Sequence, residues 1–290
     1  MYGCRLIQLT ILASLILPFL ASCHQITVDD PAAPLEPPGP ASVDFDADQC
    51  GLITGQVHWD SEPPKQETIS AWLSAEGGTQ VTVPNPLVPD IQRGLVRGAI
   101  VFLRGVDARK ARPWSHAPVA ILQEEYQIRI QQDNETSPIG FVRRGDNIEM
   151  VSRQPVFHSL HLSGATFATI AFPDPDVVRK RRLDRRGLVE LSSAAGYYWA
   201  RAFVFVDDHP YFTRTDAEGR FRFDDVPQGE YEIVCWLPGW RAIRHTRDPE
   251  SALISRQEIE PPIEIVHHII VDRKKIIDVP FTMSASPSVR

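Results

Sequence analysis

A sustained helical period is missing from all 290 residues, and that absence sets the fold class before any motif is considered. No window keeps apolar residues at three- and four-residue spacing, so helical bundles and doubly wound α/β folds are excluded. Cysteine and methionine are scarce, four and three in the whole chain. No nucleophile elbow, zinc-hydrolase motif, phosphate loop or haem-attaching Cys pair occurs, so no reaction class has its residues in place. Carboxylates are numerous but unplaced, and no glycosidase pair can be nominated. The formal charge is -7, and loss of residues 1–22, whose charged residue is Arg5, would make it -8. That mildly acidic balance argues against nucleic acid as a partner.

A long apolar run occurs once, from Leu6 to Leu20, behind Arg5 and ending in Leu20-Ala21-Ser22-Cys23. It is short for a membrane span and closes on small residues, as a secretory signal over 1–22 would. Leu20 to Cys23 resembles the bacterial lipobox, which implies cleavage before Cys23 and a lipid on its sulfur. His24 follows, where Asp in many such lipoproteins retains the product at the inner membrane. The expected location is therefore exported and lipid-anchored, in the outer membrane or periplasm. Residues 23–49 hold Pro31, Pro34, Pro37, Pro38 and Pro40 and read as an extended tether.

From Cys50 onward, short strand-like segments follow one another with turn residues between them: Gly51–Trp59, Val96–Leu103, Tyr126–Ile130, Gly140–Val142, Asn147–Val151, Phe157–Leu162, Phe167–Phe172, Leu188–Leu191 and Tyr198–Val206. This spacing predicts an all-β chain of sandwiches. Arg220–Phe223 and Glu230–Ile233 alternate about the turn Val226-Pro227-Gln228-Gly229 and read as a hairpin. Residues 241–257 read as a polar loop, and 263–271 and 276–283 as closing strands.

Two families leave traces in this pattern. Thr215, Asp216, Gly219, Phe221, Val226, Pro227, Gly229 and Tyr231 match T-D-x-x-G-x-F…V-P-x-G-x-Y. The segment resembles the carboxypeptidase regulatory-like, transthyretin-like domain of the carbohydrate-binding-like fold. That resemblance implies a β-sandwich over 209–285, with 50–95 a candidate part of it. RRGDNIEMVSRQPVFHSLHL resembles the cupredoxin segment, of the plastocyanin-like and methylamine-utilisation-protein kind, that carries the first copper-binding His. The resemblance implies a cupredoxin-like Greek-key sandwich over 96–208 with His158 in that place. Laying Trp199–Phe203 on the partner motif C-x-x-H-P-W-M-R-A-Y puts Ala194 at the Cys, Tyr197 at the His and Ala200 at the Met. Blue copper needs a thiolate and two imidazoles with a weak axial Met. Three of the four are absent, so no metal and no other cofactor is expected.

Each remaining candidate has a bland counterpart. Cys50 and Cys235 are either a disulfide, natural for an even pair in an oxidising compartment, or two buried small hydrophobes. Tyr197, Tyr198, Trp199, Trp236 and Trp240 are either sugar-stacking platforms or core. The basic run Arg179–Arg186 is either a solvated loop or a contact for an anionic headgroup or glycan. His158 with His161, and His267 with His268, stand at odd spacings that point to opposite faces of a strand. His209 is expected to bond a neighbouring carboxylate. The sequence thus reads as a non-catalytic, lipid-anchored envelope protein for binding or structural organisation, with a glycan or envelope protein as partner. Two other readings stay open: a copper-binding or electron-transfer cupredoxin, and an accessory protein or cryptic enzyme of polysaccharide degradation.

Overall fold

The computed structural model describes residues 42–72, 78 and 80–285, all within the unit Glu36–Arg290. It is all-β apart from a single 3-10 turn at Ala47–Gln49, with four larger sheets and two separate two-stranded ribbons. In sheet I, Cys50–Trp59 lies beside Arg220–Pro227 on one side. On its other side it meets Ile276–Asp278 and Phe281–Met283, both parallel, while Leu95–Arg97 follows Arg220–Pro227 on the first side, so that His58 pairs with Leu95 on one side and Thr282 on the other. Sheet II runs Phe212–Arg214, Ile100–Arg104, Gly229–Leu237, Ile263–Val271, with every pairing antiparallel. Sheet III runs Ile139–Arg143, Arg201–Asp207, Gly187–Ser193, His158–Gly164, Ala168–Phe172. Sheet IV runs Arg179–Arg182, Asn147–Ser152, Ala120–Glu124, Gln127–Gln132, Glu135–Ser137.

The sheets stack, and the stacking accounts for the apolar runs. Cys235 directs its sulfur to Met283 of sheet I at 3.5 Å, whereas its neighbour Trp236 meets Phe203 and Phe205 of sheet III at 5.5 and 5.2 Å. Sheet II is therefore buried on both faces there, which is why Ile100–Leu103 and Val234–Leu237 are apolar without alternation. Strand Arg201–Asp207 is shared in the same way. Phe203 and Phe205 enter the first core, and Ala202, Val204 and Val206 enter a second core between sheets III and IV. Gly140 sits on that second face, where a Cβ would come within 2.9 Å of Ile130, so glycine there lets the two sheets approach.

Several expectations are corrected. Arg220–Pro227 and Gly229–Leu237 do not form a hairpin: the chain crosses at Gln228 from sheet I to sheet II. Phe221 and Phe223 then face Tyr231 and Ile233 across a core, and the alternation is identical to that of a laterally paired hairpin. Ile100–Arg104, expected to open the cupredoxin-like unit, pairs instead with Gly229–Leu237 and Phe212–Arg214. Residues 241–257 contain most of a ribbon, Ala242–Arg247 with Ile254–Ile259, rather than a loop. All six residues of its first strand are exposed, so no apolar period marks it. Arg179–Arg182 is an edge strand, not a loop.

Candidate functional site

Strand His158–Gly164 lies between Gly187–Ser193 and Ala168–Phe172. Beyond Ser193 the chain leaves the ladder and returns as Arg201–Asp207. The return is short because it is tied at both ends: Ala194 N–H donates to Ser159 O at 2.9 Å, and Ser193 N–H to Ala200 O at 3.2 Å. Ala200 N–H donates in turn to Tyr197 O at 2.9 Å. The fold thus brings His158 together with the loop that carries Ala194, Tyr197 and Ala200, positions far from it in sequence.

At the centre, the Tyr197 ring lies 5.0 Å from that of His158, inclined by 38°. Tyr126, which the sequence did not single out, stands 5.5 Å from Tyr197. Trp199 packs 5.7 Å from Tyr197 and its Nε1–H donates to Tyr126 O at 2.8 Å. Tyr198 meets Trp199 edge-on at 4.9 Å and His245 of the exposed ribbon at 6.2 Å. His158 is 2% exposed and its Nε2 has no hydrogen-bond partner. Burial holds its imidazole below the ordinary value and pushes the Tyr197 phenol up, with a further push from Tyr126. Val156 and Phe157, the residues before His158, are exposed and give this end of the sandwich an apolar rim.

The donor set does not suit copper. An isolated imidazole, a phenol and two methyl groups cannot supply the thiolate and second imidazole of a blue site. Among the described residues, no group of three or more His, Cys, Asp and Glu is placed to hold a metal. His161, on the opposite side of its strand from His158, is hydrogen-bonded to Thr169 at 3.2 Å. His267 is half-buried against Phe281, while His268 points to solvent.

Trp199, Trp236 and Trp240 are 3, 2 and 2% exposed, so none offers a face to a sugar. Trp236 lies on a strand buried on both faces, while Trp199 and Trp240 stand in loops that pack onto the second and first cores. Tyr197 and Tyr198 remain half-buried and are the aromatic groups of that set within reach of a ligand. Cys50 and Cys235 are free thiols. Cys50 Sγ donates to Asp46 O at 3.2 Å at the entrance to sheet I, whereas Cys235 lies inside sheet II against Met283. Burial raises both thiols, Cys50 to about 11. Of the two readings the sequence left open for this pair, the structure has two separate buried thiols rather than a disulfide.

His209 is buried beside Asp207 at 3.6 Å and stacked on Phe212 at 5.4 Å. Next to it Asp208 accepts from Arg144 at 2.7 Å and from Arg186 at 2.6 Å. Three of the six cations in the basic run meet carboxylates: Arg186 at Asp208, Lys180 at Glu149 at 2.6 Å and Arg182 at Asp184 at 2.6 Å. Cys23, the signal segment and residues 23–41 of the tether lie outside the described residues. No helix among the described residues is long and apolar enough to cross a membrane.

Comparison with known proteins adds cupredoxins at a distance. A copper(I) form of an amicyanin mutant shares 16% identity over 31% of this chain and 81% of its own, with a TM-score of 0.25. A second copper(I) amicyanin mutant shares 13% over 37% of this chain and 97% of its own, at 0.25. The purple cupredoxin from Nitrosopumilus maritimus shares 12% over 31% and 98%, at 0.24. Likeness at that level carries no functional argument. No family model matches the sequence, and no curated protein matches it.

Proposed function

We propose that this chain is a non-catalytic, lipid-anchored envelope protein that binds or organises a partner, and that its cupredoxin-like unit has lost most of its copper ligands. The observation that carries this reading is the donor set gathered at His158. The loop comes back to the imidazole as a ligand loop would, yet it presents Tyr197 and two alanines. What remains is an aromatic, half-open end of a sandwich with an apolar rim at Val156 and Phe157. Aromatic groups with one polar end suit a glycan face or an envelope protein. Tyr197 and Tyr198 are the groups that would make first contact.

The test has two arms. Copper(II) added to the full-length chain should give no intense visible charge-transfer band. A strong band lost in His158→Ala would overturn the ligand-loss reading. A glycan array, with a pull-down from solubilised envelopes, should show binding that Tyr197→Ala weakens; binding indifferent to Tyr197 and Tyr198 would remove this site from the reading. Anchoring is tested separately. Wild type should take up acyl label and Cys23→Ala should remain unprocessed and unlabelled.

A further inference from the structure

Sheet II ends on a strand unlike the other long exposed edge. Ile263–Val271 pairs along nine positions with Gly229–Leu237 in unbroken register. Its far side has no partner strand among the described residues, and no backbone hydrogen bond outside that ladder involves it. Edge strands are normally blunted by brevity, proline, lysine or a bulge. Arg179–Arg182 consists of four basic residues, and Glu135–Ser137 and Asp90–Gln92 are three residues long. Arg220–Pro227 carries four charges, a terminal proline and a register shift. Ile263–Val271, IEIVHHIIV, has none of these devices and a single charged carboxylate, Glu264. Val266 and Ile270 are exposed on its outer face, the latter at 66%.

We propose that this edge pairs antiparallel with the same strand of a second copy of this chain, about a two-fold axis at Val266. The sequence is self-complementary in that register. Glu264 falls opposite His268 of the second copy, and the same pair recurs on the other side of the axis. Val266 meets Val266, and Ile263 meets Ile269. Moving the axis to His267 sets the Glu264 carboxylate opposite Ile270 instead, and moving it to Ile265 sets it opposite Val266. A carboxylate opposite an imidazole gains a hydrogen bond, and an ion pair wherever the ring is protonated, whereas a carboxylate opposite an aliphatic side chain gains neither, so the register centred on Val266 is selected.

Neighbouring charges extend the pattern. Arg104 holds Glu264 through two bonds of 3.0 Å, and His268 stands 4.0 Å from Glu232. In the dimer these rows join across the axis, and the two copies of sheet II become one continuous sheet. The interface is isologous, as closed dimers require. A strand pair this short makes a small interface, so association is reversible and depends on concentration.

The experiment is sedimentation equilibrium of the full-length chain in non-ionic detergent, with micelles in excess so that two chains rarely share one by chance. A concentration-dependent dimer is expected. His268→Glu should weaken it about tenfold, because Glu264 then faces Glu at both sites, whereas His268→Lys should retain it. Val266→Lys should weaken it as well, by placing two ammonium groups on the axis. His268 is 84% exposed, so circular dichroism of its variants should match wild type. A monomer at every soluble concentration would overturn the proposal, and so would a dimer that both His268→Glu and Val266→Lys leave unchanged.

Discussion

Tyr197 lies over His158 with ring centroids 5.0 Å apart, and the imidazole Nε2 behind it has no partner. Tyr197 therefore covers a buried imidazole whose Nε2 is bonded by no protein group among the described residues. Removing the cover should be visible directly at His158. In Tyr197→Ala, water reaches the ring, and its pKa, followed by NMR of the imidazole protons, should rise toward the ordinary 6.5. An unchanged titration would mean that Tyr197 does not shield the imidazole.

Acid should destabilise the protein before its carboxylates titrate. Burial holds His116, His158 and His209 below 6.5 in the folded state. Below 6.5 the unfolded chain takes up protons that the folded chain refuses, so their stability contribution is complete above that pH and is lost as pH falls. Tm should be lower at about pH 5 than at about pH 7.5, where the ordinary carboxylates are ionised at both values. A Tm flat across this window would contradict the burial of the three rings.

Asp208 holds Arg144 and Arg186 together from a nearly buried position. Asp208→Asn leaves Arg144 in place with a neutral partner. Because Arg186 is half-exposed, the loss should be roughly 2–3 kcal/mol in urea unfolding rather than the larger figure for a fully buried pair. A change below a few tenths would show that the network is not stabilising.

Gly55 stands between Thr54, paired with Asp278, and Val57, paired with Phe281. A Cβ there would meet Val279 O at 2.1 Å and the Phe221 ring at 2.5 Å. Backbone cannot yield as a flexible side chain does, so Gly55→Ala should cost roughly 1–3 kcal/mol or more. Chemical denaturation of the variant checks this, and a wild-type midpoint would mean that the two tail strands can shift apart.

The thiols give a compact check on the fold. Native protein should protect Cys50 and Cys235 from alkylation, and unfolded protein should expose both without reduction. Peptide mapping by mass spectrometry would show this, and a Cys50–Cys235 linked peptide would contradict the separation of the two sulfurs.

The sequence by itself determined that the chain is all-β and roughly where its strands lie, because alternation is a local property of the backbone. Phe157–Leu162 is found as His158–Gly164, and Phe167–Phe172 as Ala168–Phe172. The turn at Asp216 is equally local, since its carboxylate accepts from the N–H groups of Glu218 and Arg220 at 2.9 and 2.8 Å. The substitutions at Ala194, Tyr197 and Ala200 were visible as residue types. Only the tertiary structure decided which strands pair sideways and which face each other, since Arg220–Phe223 and Glu230–Ile233 alternate alike in either arrangement. It alone decided that Ile100–Leu103, Val234–Leu237 and Ala202–Val206 are buried on both faces and that the loops carrying Trp199 and Trp240 fold onto the two cores, which removed Trp199, Trp236 and Trp240 from the surface, and it placed Ile100–Arg104 beside Gly229–Leu237. The isolation of His158 is likewise tertiary: Tyr126 reaches it through Tyr197 from another sheet, and no spacing within one strand could record that meeting.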